Sequence, residues 1–180
     1  GAVVVLVTGL LGWDASAYAG GTLACIMKPY VEVSVGAPVE GVIQQVHVDR
    51  GDWVTKGQPI VTLEASVEQA TVALAKAKAD TEAAIKTTQA KMAFSTRKVE
   101  RAMDLFKSNS IAKHEFDEAQ TEKALAETAY LEATEHKQQA ELEWQRAAAA
   151  LKLHTIHSPL SGVVVERLLS PGELAKHQPI

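Results

Sequence analysis

The residues able to do chemistry are few and scattered. His154 and His157 have a spacing that suits two metal ligands, but no third ligand of suitable type accompanies them, and the stretch leads into a β-type segment. Met27, Met92 and Met103 lie far apart and form no thioether cluster for copper or silver. Asp49, Asp52 and Glu64 could be read as paired acids, yet they fall at turns and a strand end, where carboxylates serve backbone conformation. Ser158 and Ser161 lack the strand-turn-helix setting of an activated serine. Cys25 stands alone, which excludes an internal disulfide or a multi-cysteine metal centre; it reads as a small buried hydrophobe. No active site emerges, no enzymatic activity is expected and no cofactor is called for.

The elements that would position any such residues are more telling. From Ser66 to Leu153 the chain is rich in Ala, Glu, Lys and Gln and contains no Gly or Pro. In its second half Phe116, Ala119, Lys123, Ala126, Tyr130, Ala133, Lys137, Ala140, Trp144, Ala147 and Leu151 recur at alternating steps of three and four, a heptad seam. Tyr130 and Trp144 read as packing residues that supply the burial Ala cannot. A more polar line runs through the first half: Val67, Ala70, Leu74, Ala77, Thr81, Ile85, Thr88, Met92, Ser95, Val99, Ala102 and Phe106. Between them Lys107, Ser108, Asn109 and Ser110 form the one local cluster of turn formers, so the two lines are expected to face each other as antiparallel helices, each arm roughly 60 Å long. A single solvated helix or a dimeric coiled coil is the plainer alternative, and base rates disfavour an uninterrupted helix of this length.

The chain has 180 residues, net charge −4 and a pI of about 5.9, with acids and bases interspersed along the helical stretch. With no basic block and no interleaved aromatics, no nucleic-acid surface is expected. Ala2 to Gly12 is apolar but too short to span a bilayer, and Ala17, Tyr18, Ala19 has the small-x-small pattern of a leader cleavage site. Residues 1–19 are therefore read as the remnant of a secretory signal peptide; an uncleaved anchor, or a lipid on Cys25, are the alternatives.

From Tyr30 to Glu64 short β-type runs replace the helical pattern: Val31, Val33 and Val35, then Val42 to Val48, then Ile60 to Leu63, with turns at 49–52 and 56–59. The segment after the helices repeats this one. Pro159 to Val164 echoes Pro38 to Ile43, Gly172 and Glu173 echo Gly51 and Asp52, and Gln178 to Ile180 echoes Gln58 to Ile60 with one residue deleted. In the second copy Ser170, Pro171, Gly172, Glu173 suits a type II turn. Neither half has enough strands to stand alone, so the two are expected to pair into one β-sandwich with the helices inserted between them. The second copy stops where the first continues into a further strand, which suggests a piece of a longer chain.

A split β-domain with a helical hairpin spliced into it resembles the periplasmic adaptor subunits, or membrane fusion proteins of HlyD/RND type, of tripartite efflux pumps and related secretion systems. The half-motifs look like biotinyl/lipoyl domains in Gly41, Val42, Ile43, Val48, Gly51, Asp52, Val54, Lys56, Gly57, Gln58, Ile60, Leu63, Glu64 and Ala65. The resemblance implies an α+β fold, a split biotinyl/lipoyl-like β-sandwich with an inserted long antiparallel α-helical coiled-coil hairpin. Its parts would be a leader at 1–19, a first half-motif at 20–65, the hairpin at 66–153 with its tip at about 107–112, and a second half-motif at 154–180. In true carriers the modified Lys follows the Glu-Ala of the first half by two residues; that position is Val67 here, so the swinging-arm nucleophile is missing, and Lys56 lies in the preceding turn.

The resemblance also implies partners: an inner-membrane transporter of RND or ABC type, a TolC-type outer-membrane channel, and further copies of the chain in a ring, in the periplasm and associated with the inner membrane. Adaptors of this kind carry Arg, Leu and Ser at the hairpin tip for channel docking. This sequence matches at Arg101 and Leu105 but has Ala112 in the third place, with Lys107 and Lys113 nearby as weaker candidates. A Ser there, three residues before Glu115, would close a capping box worth about 1 kcal/mol; Ser110 is the expected substitute cap.

Overall fold

The computed structural model describes residues 30–176 and Ile180. Ser34–Ile180 forms one compact unit; of the preceding unit, Gly1–Val33, only Tyr30–Val33 is described, and these four residues are exposed and in no helix or strand. The leader, Met27 and Cys25 lie outside the described residues.

Gly and Pro punctuate the β-type runs into short strands: β1 (Gly41–Val46), β2 (Trp53–Val54), β3 (Pro59–Leu63), and, after the helices, β4 (Thr155–His157), β5 (Gly162–Val163) and β6 (Leu174–Ala175). One antiparallel sheet has the order β4-β3-β1-β6 and a second pairs β2 with β5. Every strand of the second half thus pairs with one from the first, which explains why neither half suffices alone. Alternation sets the faces: Ile43 and Ala175 point into the core with Val61, Leu63 and Ile156, while their neighbours Val42 and Leu174 face out. Burying Ile43 or Leu63 contributes roughly 1.5–3 kcal/mol each.

The sequence repeat is a pseudo-two-fold in the structure. Gly41 corresponds to Gly162 and Gly51 to Gly172, an offset of 121. Gly41 pairs with Ala175 and Val42 with Leu174; under that offset these become Gly162 with Val54 and Val163 with Trp53, which is the observed pairing of β5 with β2. The same exchange relates the Ile43 N–H bond to the Glu173 carbonyl, 2.9 Å, to that from Val164 N–H to the Asp52 carbonyl, 2.9 Å.

One expected strand is nearly absent. Val31, Val33 and Val35 make no strand; Gly36 forms an isolated bridge, and Val35 accepts one backbone bond from Ile180 N–H at 2.9 Å. Under the offset Val35 corresponds to Ile156 of β4, which pairs with β3. The second copy's counterpart of β3 lies at the chain end, where Ile180 alone among 177–180 is described.

Between the halves run α1 (Ser66–Ala79), α2 (Ala83–Lys107) and α3 (Lys113–Lys152). All eleven residues of the second-half seam are buried or half-buried along α3, and so are Ile85, Thr88, Met92, Ser95, Val99 and Ala102 on α2. Small residues let the helices approach: Ser95 is 2% exposed and hands its hydroxyl proton to the Met92 carbonyl in its own helix.

The first arm is not one helix. It breaks at Asp80–Glu82, and the seam expected on α1 is wrong: Val67, Ala70, Leu74, Ala77 and Thr81 are exposed, whereas Val72, Ala75 and Ala79 are covered. The break turns α1 about its axis, so extrapolating the α2 face through it fails. At the break the Thr81 N–H bonds the Lys78 carbonyl at 3.2 Å, a three-residue step in place of the helical four. The Thr81 hydroxyl donates to the Ala77 carbonyl at 2.9 Å, and the Asp80 N–H closes on Lys76. Asp and Thr are both weak helix formers. The Glu82 carboxylate is held between Lys86 of α2 and Lys137 of α3.

Candidate functional site

The free end of the hairpin is built by its caps. At the end of α2 Asn109 takes φ +53°, the left-handed conformation that Asn tolerates. The Ser110 N–H reaches the Leu105 carbonyl at 2.8 Å and the Asn109 N–H the Phe106 carbonyl at 2.9 Å. These two bonds make a Schellman motif that turns the chain sharply out of α2. Helix α3 then starts from Ala112, whose extended backbone (φ −79°, ψ 157°) suits an N-cap but whose side chain offers no acceptor. Ser110 does not replace it: its hydroxyl bonds that of Ser108, 2.9 Å away. Phe106 and Phe116 stack across the turn with centroids 5.4 Å apart and planes 7° from parallel, closing the two helices on each other.

Against this scaffold Arg101 and Leu105 lie one turn apart on α2, beside the seam residues Ala102 and Phe106, and both are exposed, Leu105 at 47%. Lys107 and Lys113 flank the turn and Ala112 sits between them, all exposed. Among the described residues neither Arg101 nor the two lysines makes an ion pair, whereas Lys98, one turn below Arg101, is bound to Glu122 of α3. That hydrogen bond to Glu122 raises the Lys98 ammonium above its ordinary value. The tip thus offers unpaired cations beside an exposed Leu on a tightly capped turn. Lower down, Ala90, Phe94, Leu125 and Ala129 line an open groove between α2 and α3 with Lys86 and Glu122 at its edges. Sequence reasoning missed this groove and the Phe106–Phe116 stack. Phe116 was legible as a seam residue; Phe94 falls beside the seam and gives no periodic signal.

The other chemical residues are not brought together. His154 Nε2 lies 3.7 Å from a Glu68 carboxylate oxygen at the base of the hairpin, while His157 is exposed on β4. Among the described residues no three His, Cys, Asp or Glu side chains converge on a metal position. Ser158 donates to the Leu160 carbonyl and Ser161 accepts from the Lys56 N–H, both as turn supports. Glu64 accepts from Ser66 at the start of α1, which holds its carboxyl below the ordinary range. Val67 stands in the first turn of α1, where a carrier domain would present its lysine.

The family described as CzcB-like, barrel-sandwich hybrid domain matches residues 31–179. Among solved structures, MacA from Actinobacillus actinomycetemcomitans superposes with a TM-score of 0.77 at 21% identity, over 84% of this chain and 49% of that one. The membrane fusion protein Spr0693 from Streptococcus pneumoniae R6 gives 0.46 at 21% identity, over 81% and 60%, and ZneB from Cupriavidus metallidurans 0.37 at 24%, over 81% and 56%. No curated protein sequence matches. The MacA likeness shows a shared fold, and this chain spans about half of that protein's length. The chain belongs to the CzcB-like barrel-sandwich hybrid domain family. Among the described residues no helix is long and apolar enough to cross a membrane.

Proposed function

We propose that this chain is the hairpin-bearing part of a periplasmic adaptor that joins an inner-membrane transporter to a TolC-type outer-membrane channel in a tripartite efflux pump. The observation that carries this reading is the tip: an exposed, unpaired Arg101 beside an exposed Leu105, at the far end of a long hairpin rooted in a pseudo-symmetric β-domain. Such a surface suits reversible docking on another helical end, with charge guiding the approach and Leu105 giving buried apolar area. Ala112, Lys107 and Lys113 would form the rim of the contact. The role is associative rather than catalytic. The β-domains would pack side by side as a ring at the inner-membrane side, the hairpins would line up as a conduit, and the transporter would supply the free energy.

The reading is tested in cells carrying the full-length gene. Replacing 66–153 by a short flexible linker should abolish export while the β-domain still folds and associates with the inner membrane. Export that survives the loss of the hairpin would overturn the proposal.

A further inference from the structure

Helix α1 carries apolar residues on two faces, and the structure buries the one a continuous arm would not. Continued backwards from α2, its buried line runs through Thr81, Ala77, Leu74, Ala70 and Val67 with no Gly or Pro to interrupt it. Those residues face solvent, Leu74 at 61% and Val67 at 70%. The covered face, Val72, Ala75 and Ala79, lies roughly 150° away around the helix at about 100° per residue. The stagger of the two arms is nonetheless the same on both sides of the break. Lys98 reaches Glu122, Glu82 reaches Lys137, and Lys76 lies over the Trp144 ring at 6.0 Å. Helix α1 has therefore been turned about its own axis without sliding along α3, which itself runs unbroken for 40 residues past both α2 and α1.

We propose that the first arm is a two-state element: besides the broken arm, it forms one continuous helix from Ser66 to Lys107 in which the Val67/Leu74 face replaces the Ala75/Ala79 face against α3. The two states draw on different interactions. The broken arm keeps Glu68 beside His154, Lys76 over the Trp144 ring, and Ala75 and Ala79 covered. The continuous arm gives up that packing, gains helical backbone bonds across Asp80–Glu82, and buries the branched side chains of Leu74 and Val67. Because the stagger is shared, interconversion needs only a rotation of α1 and local winding of three residues. Arg101, Leu105 and the tip stay as they are on α2. What changes is which side of the lower rod is apolar, a discrete two-packing switch rather than a bend.

Disulfide trapping in the full chain with Cys25→Ala separates the states. Ala75→Cys with Ala147→Cys reports the broken arm, Leu74→Cys with Ala147→Cys the continuous one, and Leu74→Cys with Glu143→Cys, on the exposed side of α3, sets the background. The Leu74/Ala147 pair should close faster than background in the native arm. Asp80→Ala with Thr81→Ala should speed it by roughly ten-fold, slow the Ala75 pair, and slow amide exchange at 80–84 by a similar factor. A Leu74/Ala147 rate at background in both arms, or unchanged exchange at 80–84 in the double variant, overturns the proposal.

Discussion

Gly51 and Gly172 do the same job in two copies of one motif. Gly51 takes φ +93° and gives its N–H to the Val164 carbonyl; Gly172 takes φ +91° and gives its N–H to the Ile43 carbonyl, both at 2.8 Å. Each glycine belongs to one half and closes on the other, Gly172 on β1 and Gly51 just past the end of β5, so the two turns stitch the halves together twice. The helices can leave the domain between them without opening it.

Substituting either glycine by Ala should therefore cost about the same, roughly 1–2 kcal/mol, from the backbone alone. A Cβ at either position would meet nothing within 4 Å, so no clash adds to the strain. Urea titration of Gly51→Ala and Gly172→Ala checks this; a cost at one site only would break the equivalence of the copies.

Ser95 is the one fully covered residue of α2, at 2% exposure. Its hydroxyl is satisfied within α2, so Ser95→Ala should change stability by less than about 1 kcal/mol. Ser95→Leu must push the helices apart and should cost about 1–3 kcal/mol. Thermal unfolding followed by helical circular dichroism distinguishes the two.

The two cross-arm ion pairs titrate at opposite ends of the pH scale. Hydrogen bonds from Lys86 and then Lys137 hold the Glu82 carboxyl below its ordinary 4.5, so its contribution is complete above 4.5 and disappears as pH falls through the lowered value. Lys98 is raised above 10.5 by Glu122, so its contribution is complete below 10.5 and disappears as pH rises through the raised value. Melting temperatures across pH should show Glu82→Gln flattening the acid limb and Glu122→Gln the alkaline limb. Both effects should shrink in high salt, because all four side chains reach water.

Ala112 has the backbone of an N-cap without the side chain. Ala112→Ser should supply the acceptor, complete a capping box with Glu115 and stabilise α3 by about 1 kcal/mol. Slower amide exchange in the first turn of α3 is the direct readout. A neutral result would mean that Ser cannot turn toward the free N–H groups here.

The sequence made the architecture legible because two signals were long or duplicated. The α3 seam repeats over eleven residues, from Phe116 to Leu151, and the half-motifs state the β-domain twice. What failed was local. The break at Asp80–Glu82 carries no Gly or Pro; it falls at two weak helix formers, Asp80 and Thr81, where Glu82 meets Lys137 across the hairpin, a pairing that helical periodicity does not report. Leu74 and Val67 match one seam and Ala75 and Ala79 another, so pattern alone could not choose the buried face. At the tip, the Ser-Asn-Ser cluster announced a turn, but the left-handed Asn109 and the pairing of Ser108 with Ser110 emerged only from geometry, and they removed Ser110 as a cap.

The most direct test of the adaptor reading is photo-crosslinking from Leu105 in cells expressing the full-length gene, with Leu142, also exposed and far down α3, as the control. The account predicts an adduct with an outer-membrane channel from Leu105 and none from Leu142, weakened by Arg101→Ala. Adducts only with further copies of the chain, or equal channel adducts from both positions, would contradict docking by the tip.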